Sequence, residues 1–125
     1  MLIDTHCHLD FESFDEDRDQ IVARAAEATV KRIIVPAVDL NNCTAVLQLT
    51  NQYDNVFAAV GVHPNSSAGW QDNWLETIRD FAGHKKVVAI GEIGLDYHWD
   101  NSPKEVQHQA LTKQLALAAE LDLPV

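Results

Sequence analysis

The sequence has little positive charge, few cysteines and no long apolar run. Nine Lys and Arg residues stand against 19 Asp and Glu residues, which gives a formal net charge of −10. Phosphate binding over a broad surface needs clustered Lys and Arg, so this composition argues against a protein that coats nucleic acid. It suits a solvated enzyme, or a site where metal ions supply the local positive charge.

The two cysteines, Cys7 and Cys43, are too few for a disulfide scaffold and do not form a CxxC pair. We therefore expect two free thiols in a reducing compartment. No stretch approaches the ~20 apolar residues of a membrane span. Acidic residues and histidines also interrupt the N-terminus, where a signal peptide would carry its apolar segment. The sequence predicts a cytoplasmic protein with no membrane contact.

The sequence also lacks a glycine-rich phosphate loop. What it does contain is a short apolar run followed by an amphipathic stretch, and this pattern occurs four times. The apolar runs predict parallel strands covered on both faces, and their spacing of roughly 30 residues is that of a βα unit. The first run leads into His6-Cys7-His8-Leu9-Asp10, where a doubly wound open sheet would carry its glycines. We therefore predict an α/β fold of the TIM (β/α)8-barrel type, with the doubly wound sheet as the alternative. The predicted strands are residues 1–3, 32–36, 56–60 and 87–90.

Helices are predicted over residues 15–29, 41–53 and 72–82 and from residue 103 onward. Asp39 is in position to cap the second helix, and Gly83 follows the third as a C-cap glycine would. Ser102-Pro103-Lys104-Glu105 has the pattern of a capping box with Pro at the first helical position.

Residues 1–125 contain no linker and no low-complexity segment, so they predict one domain. A full barrel takes about 250 residues, so four βα units amount to a half-barrel, the N-terminal half. Leu123-Pro124-Val125 has the composition of the start of a fifth strand. Open apolar sheet edges would favour a chain that pairs with itself or with a partner.

The first candidate site is Asp4-Thr5-His6-Cys7-His8. Residues two apart in an extended strand point to the same face, so His6 and His8 would project together and Cys7 away from them. Two imidazoles on one face can bind one metal ion. A single His-x-His is weak evidence, and two ordinary histidines are the alternative.

Two further strand ends carry residues suited to a site. Glu92, in Gly91-Glu92-Ile93-Gly94, follows an apolar strand and can bridge cations, although a helix cap or an ion pair is equally compatible. His63 follows the third strand and suits contact with substrate, or hydrogen bonding within its own loop. Three of four strand ends thus carry His or Glu. Because active sites of βα barrels lie at these ends, the clustering favours a metal site.

The other histidines and the tryptophans have plainer interpretations. We place His84 in a turn and His108 on the charged side of the last helix, and His98 suits a loop role and a place lining the pocket equally well. Packing is the expected role of Trp70 and Trp74. We also favour packing for Trp99 over stacking on a base.

Taken together, three motifs resemble the TatD-related metal-dependent deoxyribonucleases, which have an amidohydrolase-like TIM-barrel fold. The resemblance spans essentially the whole chain, in order and with matching spacing. The motifs are Asp4-Thr5-His6-Cys7-His8-Leu9-Asp10, Gly61-Val62-His63-Pro64 and Gly91-Glu92-Ile93-Gly94-Leu95-Asp96-Tyr97.

The resemblance implies a deoxyribonuclease that cleaves DNA phosphodiester bonds with a metal-activated water at a two-metal site. His6 and His8 would bind one divalent ion, and Glu92 would bridge to a second. Zn, Mn, Mg and Fe are all compatible with these ligands. His63 and Asp96 would contact the substrate, a DNA terminus or single strand. Two more histidines and an aspartate acting as general base would come from residues after Val125.

Two other functions remain open at this stage. The same site chemistry suits an ester or amide hydrolase, such as a D-aminoacyl-tRNA deacylase, because an activated water also attacks carbonyl carbon. A half-barrel can alternatively be catalytically incomplete and self-associate through its apolar edges.

Overall fold

A computed structural model describes residues 1–125 as four parallel strands alternating with four helices. Short 3-10 helices lie at Glu12–Phe14 and Pro64–Ser66. The strands are β1 (Leu2–Asp4), β2 (Val30–Pro36), β3 (Val56–Val60) and β4 (Val87–Ile90), and the helices are α1 (Arg18–Glu27), α2 (Leu40–Gln52), α3 (Trp74–Ala82) and α4 (Lys104–Glu120).

The strands pair in sequence order, β1-β2-β3-β4, and every pair is parallel. Ile33 of β2 lies opposite Val56 of β3, and Val60 of β3 lies opposite Ile90 of β4. A doubly wound sheet reverses its strand order at a switch point, and this sheet has no reversal. The order is that of consecutive βα units in a barrel wall.

The helices pack against one face of the sheet. Ile33 and Val35 of β2 are buried in one cluster with Val46 of α2, Ile78 of α3 and Leu117 of α4. Alternate residues point to the other face of a strand. That second face is an open groove of about 650 Å³, lined by apolar side chains that include Ile34, Val88 and Leu115. The prediction that both faces are covered is therefore wrong within these 125 residues, because the groove leaves Ile34 and Val88 only partly buried.

Two of the predicted helix ends are confirmed. The Asp39 carboxylate accepts a 2.7 Å hydrogen bond from Asn42 N and so caps α2. Gly83 occupies the C-cap of α3, although its φ of −69° is right-handed rather than the left-handed conformation typical of such glycines.

The capping-box prediction at the start of α4 is wrong. The helix begins at Lys104, one residue later than predicted, and the buried Ser102 hydroxyl has no hydrogen-bond partner. The Gln107 side chain reaches back instead and donates a 2.9 Å hydrogen bond to the Ser102 carbonyl. None of the four helices combines the length and the apolar content needed to cross a membrane.

The backbone packs so closely at the end of β3 that adding a single methyl group there should lower the stability of the fold. A Cβ at Gly61 would lie 3.0 Å from Ile93 Cγ2 and 3.1 Å from the Gly91 carbonyl carbon. We expect Gly61→Ala to lower the free energy of unfolding by about 1–3 kcal/mol, because backbone atoms must move to admit the methyl group. Urea denaturation measures the change.

Gly69→Ala is the matched control, because a Cβ there would approach nothing closer than 3.9 Å. We expect this variant to stay within about 1 kcal/mol of the parent chain. Equal effects of the two substitutions would show that the contact at Gly61 is not restrictive.

Candidate metal centre

Three of the predicted site residues meet at the carboxyl-terminal edge of the sheet. His6 and His8 follow β1, and Glu92 follows β4. The Nε2 atoms of the two histidines are 3.2 Å apart, and each lies 3.4 Å from Glu92 Oε2. The structure thus brings one potential ligand atom from each residue to a common point.

The segment that carries the two histidines is a loop rather than part of the strand, because β1 ends at Asp4. It stays attached to the sheet, since Cys7 N donates a 3.2 Å hydrogen bond to Ile34 O. Cys7 packs against the core while His6 and His8 approach each other on the opposite side. The predicted alternation is therefore retained, although the two histidines lie after the end of the strand.

The spacing of these three atoms fits a bound divalent cation. For metal–ligand distances of ~2.0–2.1 Å, tetrahedral geometry places ligand atoms about 3.3 Å from one another. The observed separations of 3.2, 3.4 and 3.4 Å match that value. Two imidazole nitrogens and one carboxylate oxygen also form a donor set typical of catalytic metal sites.

Phe11 supports this geometry from the side of His8. Its ring stacks on the imidazole at a centroid distance of 4.6 Å and an interplanar angle of 15°. The His6 side chain remains 54% exposed, so the centre is open to solvent on that side. An open side is what a catalytic ion requires, in contrast to the closed shell of a structural ion.

His63 faces the other oxygen of Glu92, with Nε2 3.5 Å from Oε1. Its second nitrogen, Nδ1, accepts a 3.0 Å hydrogen bond from Asn65 N. In the neutral imidazole the proton is then on Nε2, the atom that lies 3.5 Å from Glu92 Oε1. His63 therefore fixes its own loop by hydrogen bonding, one of the two roles considered from the sequence, while contact with substrate stays a prediction.

Asp96 lies outside the three-atom cluster and organises the loop after β4. Its carboxylate accepts hydrogen bonds from Asn65 Nδ2 at 3.0 Å, His98 N at 3.0 Å and Trp99 N at 3.4 Å. Burial raises the pKa of Asp96, but these hydrogen bonds and the nearby His63 outweigh it, so the pKa is lowered. At pH values above the usual Asp pKa, the ionised carboxylate therefore stabilises the loop. This contribution to stability is lost as the pH falls through the lowered pKa of Asp96.

Sequence reasoning missed two glutamines of α4 that hold the site loops. Gln114 accepts a 2.8 Å hydrogen bond from Val62 N and donates a 3.1 Å hydrogen bond to Val62 O. Gln107 does the same for Asp96, at 2.8 and 3.0 Å. Both side chains are fully buried. Both glutamines lie among the apolar positions of α4, but their role can be recognised only when the helix is seen packed against these loops.

His84 and His108 are not part of the cluster. His84 Nδ1 accepts a hydrogen bond from Lys86 N, and His108 Nε2 contacts the Tyr97 hydroxyl. Trp70 and Trp74 pack edge to face at 5.6 Å and against the core, as predicted. The packing prediction for Trp99 is wrong, because this side chain is 67% exposed on the loop that Asp96 organises.

Comparison with known proteins identifies relatives along almost the whole chain. A family model described as "TatD related DNase" matches residues 3–125. The "Uncharacterized metal-dependent hydrolase YabD" of Bacillus subtilis is 42% identical over 125 residues, which cover 100% of this chain and 49% of that protein. The "3'-5' ssDNA/RNA exonuclease TatD" of Escherichia coli K12 is 36% identical over 99% of this chain and 48% of its own length.

Solved structures of relatives confirm the barrel-type fold. The crystal structure of YjjV, a TatD homologue from Escherichia coli K12, superposes with a TM-score of 0.89 at 44% identity and covers 99% of this chain and 49% of its own. A TatD family hydrolase from Entamoeba histolytica has a TM-score of 0.84 at 28% identity, over 95% and 46% of the two chains. The chain thus spans about half the length of the relatives it matches.

The buried Gln114 amide predicts a stability effect that depends on its two hydrogen bonds. Gln114→Met keeps the length of the side chain but leaves Val62 N and O, both in a buried residue, without these partners. We expect a loss of about 2–5 kcal/mol in the free energy of unfolding, because each unpaired group costs ~1–3 kcal/mol. Chemical denaturation measures it.

Gln109→Met on the exposed side of the same helix is the control, with an expected change within ~0.5 kcal/mol. If Gln114→Met were as stable as Gln109→Met, the two hydrogen bonds would not hold the loop.

Proposed function

The chain belongs to the TatD related DNase family of metal-dependent hydrolases, and from its candidate metal centre we propose that it cleaves phosphodiester bonds of DNA. The observation that carries the proposal is the cluster of His6 Nε2, His8 Nε2 and Glu92 Oε2, with separations of 3.2–3.4 Å. His6, His8 and Glu92 would hold a divalent ion there, and such an ion would supply an activated water and positive charge for the phosphate oxygens.

More specifically, we propose a site that binds two ions. Glu92 Oε2 faces His6 and His8, whereas Oε1 points toward His63. A carboxylate that offers its two oxygens in two directions is suited to bridge two ions. The second ion would then need further ligands, which we propose are two histidines after residue 125, where an aspartate would also serve as the general base. Zn, Mn, Mg and Fe remain compatible with the ligands.

His63 and Asp96 are proposed to serve the substrate in different ways. The proton on His63 Nε2 gives the centre a hydrogen-bond donor that can reach a phosphate oxygen. The Asp96 carboxylate already accepts hydrogen bonds from the loop and from Asn65, so it acts by holding that loop in place. The chain thus supplies one donor and one loop anchor beside the metal ligands.

A strand terminus is the form of DNA that best suits this chain. The net charge of −10 opposes a long phosphate track over the surface. Contact restricted to an end at the metal centre avoids that repulsion, and the relatives named as 3'-5' ssDNA/RNA exonucleases favour a single strand with a free 3' end. Both free thiols suit a reducing compartment, so we propose the cytoplasm as the location.

Hydrolysis of an ester or amide such as a D-aminoacyl-tRNA is the competing activity, and one assay separates the two. We expect the protein to hydrolyse single-stranded DNA faster than an aminoacyl ester under the same metal conditions. Glu92→Gln should lower the DNA rate at least ~100-fold, because a neutral amide is a much weaker ligand than a carboxylate. Product analysis of labelled strands measures both effects.

Glu105→Gln, an exposed acid at the start of α4, is the control and should retain the parent rate. Cleavage of the ester without cleavage of DNA would contradict the proposed nuclease. Full DNA activity in Glu92→Gln would contradict the proposed site.

A second candidate role is self-association, and the open groove favours it. The groove presents Ile34 and Val88 of the sheet beside Leu115 of α4, and it is open to solvent. A second copy of the chain could cover that groove and the edges of β1 and β4.

Analytical ultracentrifugation tests this role on the 125-residue chain. Pairing predicts a species of twice 13.9 kDa at micromolar concentration. Replacing Val88 with Glu should shift it toward the monomer, because a charge would be buried in the interface. A well-folded monomer of the parent chain would exclude pairing.

A further inference from the structure

The loop after β4 exposes aromatic rings that the proposed hydrolysis does not use. Trp99 is 67% exposed and Tyr97 is 46% exposed. Large aromatic side chains are usually well buried, since each hides 150–250 Å² of surface when packed. Exposed rings beside a candidate active site therefore indicate a binding surface rather than a core.

These rings are connected to the metal centre by consecutive contacts. Glu92 Oε1 lies 3.5 Å from His63 Nε2, and His63 Nδ1 accepts the hydrogen bond from Asn65 N. Asn65 Nδ2 donates to Asp96, whose carboxylate accepts from Trp99 N. The position of the Trp99 backbone is thus set by the same residues that face the metal ligand.

Residues of α4 also hold this loop in place. Gln107 makes two hydrogen bonds to the backbone of Asp96, and Lys104 places its ammonium group 4.8 Å from the centre of the Tyr97 ring. The Tyr97 hydroxyl contacts His108 of the same helix. A ring on a loop anchored this way loses little conformational entropy when it binds a ligand.

We propose that Trp99 is a stacking platform for an unpaired base of a single-stranded nucleic acid whose end lies at the metal centre. This inference rests on the proposed nuclease function and names how its substrate is held. Every base has a flat π face, so stacking on an indole is tolerant of sequence. Bases inside a duplex are already stacked on each other, so the platform selects single strands.

The local charges indicate that stacking, not phosphate attraction, supplies this part of the binding energy. Lys104 is the one basic residue between positions 96 and 105, whereas Asp96, Asp100 and Glu105 are acidic. The contribution of Trp99 should therefore change little with salt, in contrast to a phosphate contact, which weakens as salt rises.

Binding of a labelled, phosphorothioate-protected oligothymidine in the presence of divalent metal tests the proposal. We expect Trp99→Ala to weaken binding by roughly 5- to 150-fold at every salt concentration, which corresponds to one stacked base. Trp99→Phe keeps an aromatic face and should retain most of the affinity. The parent protein should bind a strand with an abasic 3' end about as weakly as Trp99→Ala binds the intact strand.

Two results would overturn the platform: unchanged affinity in Trp99→Ala, or equal binding of the abasic and intact strands by the parent protein. Cleavage of unprotected strands separates this inference from the proposed function. If Trp99→Ala raises KM and leaves kcat unchanged, the result supports both the stacking platform and the proposed nuclease function. Base-dependent binding without cleavage would refute the nuclease and keep the platform, whereas cleavage with an unchanged KM in Trp99→Ala would refute the platform alone.

Discussion

Glu92 Oε2 is equidistant, at 3.4 Å, from the Nε2 atoms of His6 and His8, and the arrangement of this edge of the sheet follows from that contact. The ligands come from the first and last strands of the sheet, so both intervening strands must keep their register. Gly61 lets the end of β3 approach the backbone of Gly91 closely. The buried Gln114 then holds the segment before His63, so packing next to Glu92 and His63 maintains this contact.

Much of the fold and the centre was predictable because it depends on local patterns. The apolar runs at residues 56–60 and 87–90 coincide with β3 and β4, since buried parallel strands are apolar on both faces. His6, His8 and Glu92 were predictable from their positions at strand ends, because parallel strands present those ends at one edge. The spacing of two residues indicated a shared direction even though the segment is a loop.

The features that were missed depend on long-range contacts. Gln107 and Gln114 are polar residues on an amphipathic helix, and only the loops they meet show that their amides are paired. Ser102 fits a capping pattern, but Gln107 occupies its carbonyl and the helix starts later. Trp99 is apolar and was expected to pack, yet the hydrogen bonds to Asp96 hold its loop outward.

Calorimetric titration of the chain with Zn²⁺ or Mn²⁺ tests most directly whether His6, His8 and Glu92 bind one divalent ion. We expect a saturable site that His8→Ala weakens by at least ~100-fold, with the fold retained by circular dichroism. His84→Ala, which removes an imidazole far from the centre, should bind the ion as the parent chain does. Equal affinity of the parent chain and His8→Ala would contradict the metal centre proposed here.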